Sequence, residues 1–251
     1  MPIHNELRPG CQAFALSPAA KPVVGAPMVP ELAHIDCWIF DLDNSLYPPS
    51  ADLFALIDVR MRQFIENLLG CDAAEAHRVQ KAHFHAHGTT LAGLMAEHGV
   101  DPHDFLTYVH DIDLARISAD PVVVAALGRL PGRRFVFTNG DAPYAGRVLE
   151  RLGLAGLFEA IYDIHAMDYV PKPDPRPYAA MCEKLDIDPE RALFVEDMAR
   201  NLEPAKALGM TTVWIDNGSE RGNFGADPAF IDYHIDDIGS WLTEILKDNG
   251  E

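Results

Sequence analysis

From Asp36 onward the apolar residues fall into two alternating patterns: short continuous runs of strand length, and longer segments in which apolar positions recur at helical spacing. The runs are CWIF from 37, RFVFTN from 134, FEAIYD from 158, ALFVED from 192, TVWID from 212 and DYHI from 232. Most are apolar at every position rather than at alternate ones, the pattern of strands in a parallel sheet covered by helices on both faces. Helical spacing fills 141–153, 175–186, 198–209 and 238–248. The alternation predicts an α/β fold, a doubly wound parallel sheet with right-handed crossovers.

One interval breaks the rhythm. Between CWIF and RFVFTN about 90 residues pass without a strand pattern. DLFALIDVRMRQFIENLLG, CDAAEAHRVQKAHFHAH, TTLAGLMAEHG and PHDFLTYVHD all read as helical, with Gly70, Gly88 and Gly99 as stops. The expected organisation is therefore a proline-rich arm over 1–30, an α/β core over 31–49 and 119–251, and an inserted all-helical subdomain over 50–118. DPVVVAALGRL, from 120, reads as the helix that leads back into the sheet.

Sites in parallel α/β sheets form beyond the carboxyl ends of the strands. The polar residues that end the runs are Asp41 and Asp43, Thr138 and Asn139, and Glu196 and Asp197; Lys172 sits in the loop VPKPDP, stiffened by prolines. Carboxylates crowded on one rim repel one another unless a cation gathers them, and Mg2+ takes a few carboxylate oxygens together with water and phosphate oxygens. An Asp beside such an ion, a second Asp two residues on and a lysine opposite suit phosphoryl transfer through an aspartyl-phosphate. On this reading Asp41 attacks phosphorus, and Asp43 protonates the leaving oxygen and later takes a proton from water. Thr138, Asn139 and Lys172, with the backbone N–H groups of Asn44 and Ser45, bind the phosphoryl oxygens. Asp197, assisted by Glu196, holds the ion from the far side.

DLDNSLYP, TNG, PKPDP and EDMARN, in that order, resemble the four motifs of the haloacid dehalogenase superfamily of phosphohydrolases. The helical insert is similar to that superfamily's C1 cap, and the likeness covers about residues 34 to 245. LYPP after the aspartates and HGTTLAGL at 87–94 resemble the pyrimidine 5'-nucleotidase branch. The resemblance implies Asp41 as nucleophile, Asp43 as acid/base, Thr138 and Lys172 as phosphate ligands, and Asp41, Asp197 and the backbone carbonyl of Asp43 as ligands of Mg2+. Two positions depart from it: Asn44 stands where many relatives have glycine, and Asn201 where some have a third acid. The cap would select the substrate, with Arg60, His87, Thr89 and Thr90 as candidate contacts and Tyr47 near the entrance. Expected substrates are nucleoside 5'-monophosphates, with a sugar phosphate or phosphoglycolate as the rival. Different classes, a phosphoacceptor switch or a phosphate-binding module without turnover, share the acids and the lysine; the large helical insert speaks against the first.

Charge narrows the partners. A net charge of -18 and a pI near 4.8 oppose binding to nucleic-acid polymers and to anionic membrane faces, so a small phosphorylated metabolite is the expected partner. Cys11, Cys37, Cys71 and Cys182 show neither a CxxC pair nor ligand-like spacing with histidine, which favours free thiols and a cytoplasmic location. No run reaches the roughly 20 apolar residues that span a bilayer, and prolines interrupt any leader-like stretch in the first 30 residues. His83 and His87, four apart in HFHAH, have metal-ligand spacing, but no acid or thiol nearby in sequence completes a set; a solvated or substrate-facing surface is expected there.

Overall fold

The computed structural model describes residues 14–15 and 29–247. Strands β1 (Phe14–Ala15), β2 (Cys37–Phe40), β3 (Arg133–Phe137), β4 (Ala160–Tyr162), β5 (Ala192–Glu196), β6 (Thr211–Ile215) and β7 (Tyr233–Ile235) form one sheet in the order β1-β4-β3-β2-β5-β6-β7. All neighbours from β4 to β7 are parallel, and β1 joins the β4 edge antiparallel. The expected doubly wound sheet is thus present. β1 lies within the segment read as a proline-rich arm and was not foreseen; the rest of that arm up to residue 28 lies outside the described residues.

The continuous apolar runs have the burial their pattern implies. Trp38, Ile39 and Phe40 are inaccessible to solvent, as are Phe135, Val136, Phe137, Leu193, Phe194 and Val195 on the flanking strands. Each such side chain contributes about 1.5–3 kcal/mol of transfer free energy. Aromatic edges lock the layers: Phe137 meets Tyr178 at 4.9 Å and Phe40 meets Phe158 at 5.9 Å, both edge-to-face.

Helices α1 (Leu53–Leu69), α2 (Ala73–His87), α3 (Thr90–His98) and α4 (Pro102–Val109) occupy the interval after β2, with α1 packed on α2 and α4, and α2 on α3. Gly70, Gly88 and Gly99 end the first three with φ of 62°, 82° and 62°, a left-handed geometry that costs glycine little. The remaining helices are α5 (Pro121–Arg129), α6 (Ala142–Arg151), α7 (Pro175–Leu185), α8 (Leu202–Ala207) and α9 (Ile238–Ile245). Much of the acidity is structural: Asp72, Asp101, Asp120, Asp141, Asp174 and Asp237 each accept a backbone N–H at a helix start. The segment 198–209 is not one helix as expected. A 3-10 turn at Ala199–Asn201 precedes α8, because Pro204 lacks an N–H and is tolerated only in a first α-helical turn.

The chain runs outward from β2 through β3 to β4, then returns beside β2 at β5 and runs outward the other way. The reversal between β2 and β5 opens a crevice at their carboxyl ends. Phe40 pairs with Val195, so the next residues, Asp41 and Glu196, emerge side by side there.

Candidate active site

Asp41 leaves β2 with its N–H still donating to Val195 O at 2.9 Å, which holds its carboxylate at the sheet rim. Its Oδ1 accepts from Lys172 Nζ at 2.7 Å and its Oδ2 from Ser45 Oγ at 3.0 Å. The turn that brings Ser45 back depends on Asn44, at φ 60°, where asparagine is among the more tolerant side chains; Asn217 Nδ2 donates to Asn44 O at 2.6 Å and fixes it. Ser45 Oγ also accepts from Asp197 N at 3.1 Å, so one hydroxyl ties the β2 and β5 loops together. Ser45 N–H donates to Leu42 O at 3.3 Å.

Lys172 is the centre of charge. Its side chain is 1% exposed and its ammonium donates to Asp41 Oδ1 at 2.7 Å, Glu196 Oε2 at 2.7 Å and Phe137 O at 2.9 Å, which occupies all three N–H bonds. Asn139 positions this lysine rather than standing free: its Oδ1 accepts from Lys172 N at 2.9 Å, and its Nδ2 donates to Lys172 O at 3.4 Å. Thr138 is fully buried, and its Oγ1 accepts from Gly140 N at 3.0 Å, which leaves its hydroxyl proton available.

Oxygens of Asp41, Glu196 and Asp197 lie within 4.8 Å of one another, and all three residues are buried. Burial, together with the charge of Glu196, lifts Asp41 to about 7 despite Lys172; burial and the charges of Glu196 and Asp41 lift Asp197 to about 9. A hard divalent cation removes this penalty, and the donors are hard oxygens. Asn201 Oδ1, four residues beyond Asp197, is buried without a hydrogen-bond partner. The residues present therefore fit such an ion. Glu196 is the least free of the three, since Oε2 binds Lys172 and Oε1 accepts from Met198 N at 3.1 Å.

Asp43 lies under two phenols. Tyr47 OH donates to its Oδ1 at 2.6 Å and Tyr144 OH to the same oxygen at 2.9 Å, which leaves Oδ2 as the oxygen that can carry a proton. Burial raises the Asp43 carboxyl, and the two phenols offset this only in part. Sequence reasoning missed Tyr144; its sole signal is an aromatic in the first turn of the helix after TNG. Tyr144 stacks on His110 at 4.4 Å, and His110 Nδ1 lies 2.7 Å from Asp141 Oδ1 at the start of α6.

The candidate cap contacts have partners of their own. Arg60 donates from Nε to Tyr108 O at 3.0 Å and from Nη2 to Asp111 Oδ2 at 3.2 Å. His87 Nε2 lies 2.8 Å from Glu97 Oε1, Thr89 Oγ1 accepts from Ala92 N at 3.0 Å, and Thr90 Oγ1 donates to Gln80 O at 3.3 Å. The expectation that no acid lies near His83 and His87 is overturned, because α3 folds back along α2 and brings Glu97 and His98 to them.

A buried carboxylate clamped by a lysine, at the switch point of a parallel sheet, defines an α/β protein with an anion-accepting rim. The family model for haloacid dehalogenase-like hydrolases matches residues 35–209, and the chain belongs to that family. It is similar to the phosphoglycolate phosphatase of Rhodospirillum rubrum, 29% identical over 81% of this chain and 89% of that one. It is similar also to phosphate metabolism protein 8 of Saccharomyces cerevisiae, 26% identical over 69% of this chain, and spans 59% of that protein's length. Among solved structures, a HAD phosphatase from Thermococcus onnurineus superposes with a TM-score of 0.58 at 20% identity, covering 84% of this chain and 98% of that one. No helix among the described residues is long and apolar enough to cross a membrane.

Proposed function

We propose that this protein is a Mg2+-dependent phosphomonoester hydrolase acting on small phosphorylated metabolites, with nucleoside 5'-monophosphates as its substrates. The observation that carries the reading is the clamp on Asp41, whose two oxygens are fixed by Lys172 at 2.7 Å and Ser45 at 3.0 Å, next to the carboxylate of Asp197. An oxygen so held is aimed rather than free to rotate, as in-line attack on phosphorus requires.

In the proposed reaction Asp41 attacks phosphorus, the ester P–O bond breaks, and the leaving oxygen takes the proton of Asp43. Water deprotonated by Asp43 then cleaves the aspartyl-phosphate and releases inorganic phosphate. Asp43 suits both halves, since its burial favours the protonated state and the phenols of Tyr47 and Tyr144 steady the ionised one. Asp41 and Asp197, with the backbone carbonyl of Asp43, would hold Mg2+, which supplies positive charge to the phosphoryl oxygens when bound. Glu196 serves as counter-anion to Lys172. Lys172 exchanges its bond to Asp41 for one to the incoming phosphoryl group while Phe137 O and Glu196 retain it. Thr138 and the Asn44 N–H complete the phosphate cradle, joined by the Ser45 N–H if it gives up its long 3.3 Å bond to Leu42 O, and Asn139 keeps the lysine loop in place.

The nucleotide assignment is supported by LYPP and by the HGTTLAGL junction between α2 and α3, where His87, Thr89 and Thr90 lie, with Arg60 on the neighbouring α1. Cys37, Cys71 and Cys182 are free thiols, in keeping with a cytoplasmic enzyme. A panel of phosphate esters with and without Mg2+ tests the reading. UMP or CMP should be turned over faster than a generic sugar phosphate or phosphoglycolate, and Asp41→Asn should abolish turnover. Preference for phosphoglycolate, a reading favoured by the likeness to the Rhodospirillum enzyme, would replace the nucleotide assignment. Retained phosphate binding with no turnover by the unaltered chain would point instead to a binding module.

A further inference from the structure

His83 is the anomaly of the helical insert. It sits on α2, is 4% exposed, and its Nε2 is buried with no hydrogen-bond partner. An unsatisfied buried polar atom costs about 1–3 kcal/mol, and folded proteins seldom leave one without a water or an ion to meet it. The ring is wedged against α3 so closely that a Cβ at Gly93 would fall 2.4–2.5 Å from His83 Cβ, Cγ and Nδ1. Glycine at 93 is what lets the imidazole reach this place.

It is to the other ring nitrogen, Nδ1, that α3 brings the rest of a ligand set. Glu97 Oε1 is 3.5 Å from His83 Nδ1 and 2.8 Å from His87 Nε2, and the His98 ring lies 5.5 Å from that of His83. One ligand atom from each of His83, Glu97 and His98 lies within 4.8 Å of the others. Donors about 2.1 Å from a tetrahedral zinc ion stand roughly 3.4 Å apart, so small rotations of the exposed Glu97 and His98 side chains close the set. His87, one helical turn beyond His83, lies outside that set and orients Glu97 instead, its Nε2 2.8 Å from Glu97 Oε1.

We propose that His83, Glu97 and His98 form a second metal site that binds Zn2+ and staples α2 to α3. Imidazole nitrogens favour zinc over magnesium, whereas the carboxylate oxygens of Asp41 and Asp197 favour magnesium, so the two sites sort their ions by donor chemistry. The staple would span the turn at Gly88 and Thr89, the segment on which the proposed substrate selection rests.

The test uses the full-length, metal-stripped protein in excess Mg2+, which occupies the carboxylate site. Calorimetric titration with Zn2+ should show one ion per chain, and Co2+ in its place should give the visible absorption of a tetrahedral site with nitrogen donors. Glu97→Gln and His98→Ala, both at exposed positions, should each weaken Zn2+ binding at least about tenfold while leaving the circular dichroism spectrum intact. No Zn2+ uptake by the unaltered protein, or equal affinity in both folded variants, would overturn the proposal.

Discussion

Lys172→Met puts the central ion cluster to a quantitative test. Methionine keeps most of the volume and all of the apolar packing but removes the ammonium, leaving Asp41, Glu196 and Phe137 O facing a neutral side chain in a site where the lysine is 1% exposed. Removing one partner from a buried ion pair costs about 3–5 kcal/mol, because the other charge stays buried. The cost has a ceiling. A stranded carboxylate can take up a proton, and doing so at pH 7 costs roughly 1.36 kcal/mol for each unit between that pH and an ordinary carboxylate value near 4, about 4 kcal/mol in all, a cost that falls on Glu196 because Asp41 is already lifted to about 7 with the lysine in place. Urea unfolding at pH 7 in the presence of a chelator should therefore show a loss of about 3–4 kcal/mol. The deficit should shrink toward pH 5: without the lysine the folded carboxylates are raised further, and the stability a raised carboxylate forfeits is forfeited as pH rises from its unfolded value through its folded one. In the Lys172→Met background, Glu196→Gln removes one of the stranded charges and should restore about 1–2 kcal/mol. A single-variant loss under about 1 kcal/mol, or a double variant no more stable than the single one, would refute the account of Lys172 as the charge that holds the apo site together.

Asp197→Asn should raise the melting temperature of the metal-free protein, since it relieves repulsion that now lifts this carboxyl to about 9, and should abolish the stabilisation that added Mg2+ gives the unaltered protein, as differential scanning fluorimetry would read. Tyr144→Phe removes one of two phenols that lower the Asp43 carboxyl, so the alkaline limb of the kcat–pH profile should move to higher pH with KM nearly unchanged; an unmoved limb would separate Tyr144 from the acid/base group. Asp232 is pulled below the usual carboxylate range because the Lys206 ammonium at 2.6 Å and the N–H and hydroxyl of Thr212 outweigh its partial burial. A depressed carboxylate contributes stability above its unfolded value near 3.8 that is lost as pH falls through its folded one; Asp232→Asn should accordingly cost about 1 kcal/mol at pH 7 and little at pH 2–3, measured by urea unfolding.

The parts of the fold legible in the chain are those where one residue's neighbours in sequence are also its determinants. CWIF, FVF and LFV read as buried strands because both sheet faces are covered, and the polar residues that end them fall on one rim because the strands are parallel and in register. Lys172 was legible by its loop, and the stops at Gly70, Gly88 and Gly99 by the conformation they alone adopt cheaply. What escaped depends on long-range closure. Tyr144 meets Asp43 across 101 residues, and nothing in DAPYA distinguishes a phenol over an acid from an ordinary core aromatic. Glu196 reads from sequence as a metal ligand in waiting, yet its oxygens bind Lys172 and a backbone N–H, a division of labour that only the convergence of β2, β5 and the lysine loop decides. β1 is two residues long in a proline-rich context and gains its identity from the exposed edge of β4.

The histidines of α2 show why local spacing is a weak guide to metal chemistry. Read along the chain, His83 and His87 lack a third ligand; read across the helix hairpin, Glu97 and His98 arrive because Gly88 reverses the chain and Gly93 lets α3 approach within van der Waals range of the His83 ring. The same logic governs the carboxylate rim, where Asp41 and Asp197 are 156 positions apart in the sequence yet share one hydroxyl, that of Ser45, as hydrogen-bond partner of a side chain and a backbone N–H. At the rim the like-charged carboxylates sit closer than their own electrostatics favours, at a free-energy cost the surrounding packing must sustain, whereas at α2 and α3 the histidines hold Glu97 below the usual carboxylate range. What brings each cluster together is therefore distant from it in sequence: the sheet register at β2 and β5 in one case, the glycine contact between α2 and α3 in the other.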